Sequence, residues 1–101
     1  MKEKIEATLQ VNNVSIELNP FVEQFLARTV AGAVSSLKGS QDVQMLELHL
    51  QHGGVKIIVG GDELSLTPFP KDIITSTVIG LVSSLKGVGK IESLKINVKT
   101  Q

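Results

Sequence analysis

His49 and His52 are the only imidazoles in the chain, which has no cysteine. A zinc-type centre needs three or four ligands held together, so Asp62 or Glu47 would have to join them. His49 occupies a polar position of an alternating segment, and His52 falls in the turn that follows. Solvated surface histidines are the expectation, with a ligand or metal role for His49 and His52 as its rival.

The run Ser-Ser-Leu-Lys-Gly occurs twice, at 35–39 and 83–87, and holds the residue types of a phosphate loop. The order is wrong for that chemistry. A phosphate loop precedes a helix and aims N–H groups at the anion, whereas these residues close apolar helical patterns. A Lys at the favourable dipole end followed by a Gly stop accounts for them. The serines stand in helical pairs rather than at a strained strand-to-helix elbow, so a hydrolase triad has no support. No catalytic residue, metal or cofactor is expected, and the reading leans away from an enzyme.

Ten basic and ten acidic residues cancel, which leaves no long-range field to gather nucleic acid or an anionic membrane. Trp and Tyr are absent and only Phe21, Phe25 and Phe69 are aromatic, so stacking platforms for bases are lacking. Without cysteine there are no disulfides or thiolate ligands. The charged start and the lack of a long apolar run give neither a signal peptide nor a membrane span, and a cytoplasmic protein is the expectation. A chain of 101 residues suits one domain with one core.

The strongest pattern is a repeat. Thr29–Gly39 reads TVAGAVSSLKG and Thr77–Gly87 reads TVIGLVSSLKG, 48 positions later. At that offset 7–50 lies over 55–98 without a gap, with 14 of the 44 pairs identical. Eleven of those identities fall between Pro20 and Gly39, so one half-length unit is written twice. The two pseudo-repeats cover about 5–51 and 55–99.

Each unit reads β-β-α-β. Ile5, Ala7, Leu9 and Val11 alternate with polar residues, as do Val14, Ile16 and Leu18, and Asn12-Asn13 joins them as a two-residue turn. Asn19-Pro20 caps a helix with the apolar set Phe21, Phe25, Leu26, Val30, Ala33, Val34 and Leu37. A strand follows from about Val43 to Gln51. The second unit turns at His52-Gly53-Gly54 into Val55–Val59, and at Gly60-Gly61-Asp62 into Glu63–Leu66. Thr67-Pro68 starts a helix carrying Phe69, Ile73, Ile74, Thr77, Val78, Leu81, Val82 and Leu85. The last strand presents Ile91, Leu94, Ile96 and Val98 inward, and Lys99–Gln101 is expected to fray.

This predicts an α+β two-layer sandwich, internally duplicated as ββαβ-ββαβ. Two helices would cover one face of a six-stranded mixed sheet, because strands apolar on one side only suit a sheet with one wet face. The strand after each helix should run parallel to the strand before it. The predicted core is Phe21, Val30, Val34, Leu37, Leu48, Ile57, Val78, Val82, Leu85 and Ile96.

Gly32 and Gly80 sit at equivalent mid-helix places, and each costs its helix roughly 1 kcal/mol relative to Ala. They lie in small-residue stripes, Arg28-Gly32-Ser36 and Ser76-Gly80-Ser84. Gly32, Ser36, Gly80 and Ser84 are therefore the candidate helix-packing or interface residues. The functional expectation is a non-catalytic binding or assembly module that associates with itself or a protein partner, through an edge strand or these stripes. The rival is a small-ligand-binding protein or enzyme using the cleft between the half-units. A weaker alternative is nucleic-acid binding through the sheet face, where Lys95 and Lys99 make a basic spot.

Overall fold

The computed structural model describes residues 5–38, 44–51, 54–65, 68–85 and 88–100, with the side chains of 37–38 and 68–69 outside that description. The elements run β1 (Ile5–Val11), β2 (Val14–Ile16), α1 (Pro20–Lys38), β3 (Met45–Gln51), β4 (Gly54–Val59), β5 (Asp62–Leu64), α2 (Pro68–Ser83) and β6 (Leu94–Thr100). It is an α+β fold with one six-stranded sheet, ordered β2-β1-β6-β3-β4-β5.

Local chemistry sets the turns and starts. Asn12 and Asn13 take φ of 53° and 68°, and Gly60 and Gly61 take 58° and 93°, so both hairpins turn through the left-handed region. Asn fills such positions with little strain and Gly with none. Asn19 caps α1: its Oδ1 accepts the Val22 N–H at 2.8 Å and its carbonyl accepts the Glu23 N–H at 2.9 Å.

Every neighbouring pair of strands is antiparallel, which corrects the mixed sheet and the parallel crossover expected above. β2 pairs with only three residues of β1, whereas β6 pairs with all seven. Neither third strand returns to its own hairpin: β3 and β6 pair with each other over six residues, Met45–Leu50 with Leu94–Lys99, so both have ladder partners along both edges. Each lies beside the first strand of the opposite hairpin. The frayed tail is corrected for the same reason. Lys99 and Thr100 belong to β6 opposite Glu6 and Ile5, and the Thr100 N–H donates to the Gln44 carbonyl at 2.7 Å.

The registers repeat at the offset of the sequence. Leu9 pairs with Ile16 and with Ile96; 48 positions on, Ile57 pairs with Leu64 and with Leu48. At the centre Leu48 pairs with Ile96.

Leu9, Leu26, Val34, Leu48, Ile57, Val82 and Ile96 are the largest fully buried side chains. Alternate residues of β1, β3 and β6 join Leu26, Ala27, Val30, Ile74 and Val78 of the helices in one apolar cluster. Among the described residues no polar or charged side chain is buried. Leu85 is only partly buried against this cluster, Ile91 likewise precedes β6, and the Leu37 side chain lies outside the described residues.

Phe21 is the main correction to the predicted core: it is 75% exposed, and Phe25 is 54% exposed. At about 100° per residue, Leu26, Val30 and Val34 lie on the side of α1 opposite Phe21 and Phe25. The helix has apolar residues on both faces, and only one can lie on the sheet. The branched and small side chains occupy it.

Candidate functional site

The outward face of α1 begins with two aromatics. Phe21 and Phe25, four residues apart, stack on each other with ring centroids 6.1 Å apart and planes 12° apart. Gly32 and Ser36, both exposed, continue the same line along the helix. On α2 the corresponding line holds Ile73, 48% exposed, then Ser76 and Gly80, with Ser84 one residue past the end of the helix; these three are exposed too. No charged residue occurs in Thr29–Leu37 or in Ile73–Leu85. Solvent-facing helix surfaces of a soluble domain normally carry charge, so two weakly polar faces side by side form a distinctive surface.

Gly32 and Gly80 do not serve close packing within the chain. An added Cβ at either would meet nothing within 4 Å. The crevice between the helices is lined instead by Leu26, Thr29, Val30 and Ala33 of α1 and Ile74, Thr77, Val78 and Leu81 of α2. The Ser84 Oγ donates to the Gly80 carbonyl at 3.0 Å, an ordinary helical back-bond.

The cleft between the half-units, on the helix side, is a crevice of about 10 Å³ lined by apolar side chains and two threonines. That is room for one water at most. A larger recess of about 540 Å³ opens on the other face of the sheet, between Glu6, Thr8, Met45, Glu47, Ile58, Lys95, Asn97 and Lys99 and beside Gly60-Gly61. Its walls mix charges of both signs with exposed Met45 and half-buried Ile58.

His49 lies on this open face, half-buried, with Nε2 3.0 Å from Glu47 Oε1 on the same strand. Alternation puts the two side chains on one face, two residues apart. His52 lies outside the described residues. Among the described residues no three His, Asp or Glu side chains come together as a metal site. Lys56 pairs across the strands with His49, and Lys95 with both His49 and Gln10, while Lys99 pairs with Glu6. No strand carries an aromatic residue.

Two polar devices were not legible in the sequence. Asn12 clamps the segment before β6: its Oδ1 accepts the Glu92 and Ser93 N–H groups at 2.8 and 3.0 Å, and its Nδ2 donates to the Lys90 carbonyl at 2.8 Å. Glu23 and Gln24 close the outer edge of β1 beyond the end of β2. The Ala7 N–H donates to Glu23 Oε2 at 3.0 Å, and Gln24 Nε2 donates to the Ile5 carbonyl at 2.7 Å. Each depends on contacts across more than fifteen residues, which no local pattern records.

No helix among the described residues is long and apolar enough to cross a membrane. Comparison of the chain with protein-family models, with curated proteins and with solved structures finds no match.

Proposed function

We propose that this chain is a non-catalytic assembly module, a duplicated two-layer ββαβ-ββαβ domain that associates with itself through the outer faces of α1 and α2. The observation that carries the reading is the pair Phe21 and Phe25, stacked on each other in solvent at the head of a helix face whose only charge is Arg28. Aromatic rings left in water lose the burial that makes them favourable, roughly 25 cal/mol for each Å² of apolar surface. A second molecule on that face restores it. Two further features support the architecture: the repeated strand registers, and a shortest dimension of 19 Å, which suits one sheet and one layer of helices.

The β2–β1 edge of the sheet is poorly suited to the same role. β2 is three residues long, and Glu23 and Gln24 occupy the rest of the β1 edge. Short or covered edges resist strand addition.

Molar mass measured by light scattering across a range of concentrations tests the proposal. The expected result is a mass of twice the 10.8 kDa chain, or a larger multiple, falling towards one chain in Phe21→Ala/Phe25→Ala. A single-chain mass at every concentration rejects it. In that case the 540 Å³ recess on the open sheet face supports the second reading, a small-ligand-binding protein.

A further inference from the structure

Lys95, His49 and Lys56 stand side by side in one row across β6, β3 and β4, with Lys95 opposite His49 and His49 opposite Lys56. Side chains directly opposite on paired strands lie about 5 Å apart at Cβ, so the row gathers three nitrogen-bearing groups within about 10 Å. They rise from the open face of the sheet, His49 and Lys95 half-buried and Lys56 exposed. A recess flanks the row on each side, and His49 lines both. One, of about 270 Å³, adjoins Gln10, Ser93 and Lys95; the other, of about 590 Å³, adjoins Lys56 and Ile58.

The duplication does not account for this row. At the offset of 48, Lys56 is the counterpart of Thr8, Lys95 of Glu47, and His49 of Asn97. Thr8, Asn97 and Glu47 are likewise neighbours across β1, β6 and β3, so one backbone plan carries two equivalent rows. One is basic and the other is not. Among the described residues neither lysine of the basic row has a carboxylate partner, and the acid beside the row, Glu47, is in contact with His49. Lysines gathered on a ladder repel each other, and an anion between them relieves that cost.

We propose that this row binds a small phosphorylated anion, a diphosphate or a diphosphate ester, laid across His49 with one phosphoryl group in each recess. Lys95 and Lys56 donate to it from the two sides. Glu47 Oε1 takes Nε2–H of the imidazole at 3.0 Å, which leaves Nδ1 for the ligand. Donation from both ring nitrogens makes the bound imidazole doubly protonated. A single phosphate fills one recess and engages one lysine, whereas a diphosphate engages both. A nucleic acid fits less well, because three groups neutralise few phosphates and no strand carries an aromatic residue for a base to stack on. The site lies on the face away from α1 and α2 and does not depend on self-association through the helices.

The unmodified chain, labelled with nitrogen-15, is titrated with pyrophosphate at constant ionic strength and followed by NMR. Saturable shifts are expected at the Lys56 and Lys95 amides and at the His49 ring, whose two nitrogens should move to the positions of the doubly protonated form. Thr8, the counterpart of Lys56 in the other row, should move little. Inorganic phosphate should bind about tenfold or more weakly. Shifts that fail to saturate, or that appear equally at Lys71 and Lys90, overturn the site, and equal affinity for inorganic phosphate overturns the two-recess placement. A short single-stranded oligonucleotide that binds more tightly than pyrophosphate overturns the small-anion assignment. Two variants with the same change of charge separate contact from general attraction. Lys56→Gln should weaken binding about fivefold or more, whereas Lys99→Gln, on the same face but outside the row, should change it less than about twofold. Equal losses in the two variants also reject the row as the site.

Discussion

Leu48 on β3 faces Ile96 on β6 across the middle of the sheet, and neither has any solvent exposure. They are counterparts, 48 positions apart, and they join the halves of the chain at its centre. Neither half places its own third strand beside its own hairpin. The sheet is therefore continuous only when both halves are folded, which makes this pair the centre of cooperativity. Leu48→Ala and Ile96→Ala should each cost about 2–5 kcal/mol in urea unfolding. Because the two side chains touch one cluster, the double variant should depart from additivity by about 0.5 kcal/mol or more. Independent unfolding of two half-chains in calorimetry would contradict this account.

Phe21→Ala and Phe25→Ala should behave unlike core truncations. A buried Phe typically costs about 3–5 kcal/mol when truncated, whereas these exposed rings should cost under about 1 kcal/mol in dilute protein. Thermal unfolding at low and high protein concentration separates the contributions. A core-sized loss in the dilute sample would mean the rings are buried within one chain.

Gly32→Ala and Gly80→Ala should each stabilise the dilute chain by about 0.5–1 kcal/mol, since the added methyl meets nothing within 4 Å and helix propensity improves. Where copies pack on this face the methyl is unwelcome, so the same variants should weaken association. A stability loss at high dilution would restore the intramolecular contact.

Asn12→Gly separates the clamp from the turn, because Gly accepts the φ of 53° that Asn12 holds. The loss should then reflect the three side-chain hydrogen bonds alone, about 1–2 kcal/mol at this exposed site. Amide hydrogen exchange should accelerate at Glu92 and Ser93 first. Unchanged exchange at both would show that the clamp does not hold that segment.

Glu23→Ala removes the acceptor of the Ala7 N–H and uncovers the outer edge of β1. About 1 kcal/mol of stability should be lost, with faster exchange at Ala7. An uncovered edge also invites strand addition, so turbidity on heating should rise relative to the unmodified chain. Protection at Ala7 equal to that of the parent protein would rule out the edge-closing role.

The sequence by itself determined the elements, because their causes are local. Alternation marks β1 and β3, Asn12-Asn13 and Gly60-Gly61 can adopt left-handed turns, and Asn19-Pro20 offers both a cap and a fitting first helical residue. The 48-residue offset also places each strand and helix of the first half over its equivalent in the second, to within a few residues at the ends. Tertiary structure decided the rest. Strand order depends on matching between distant edges: β3 and β6 pair with each other over six residues, and each also takes the first strand of the opposite hairpin. The face of α1 was undetermined because apolar residues lie on both sides of it; packing of Leu26, Val30 and Val34 onto the sheet turned Phe21 and Phe25 outward. Alternation and capping act over a few residues and are written in the chain. Edge matching and the choice between two apolar faces are competitions between distant surfaces, and only the folded molecule resolves them.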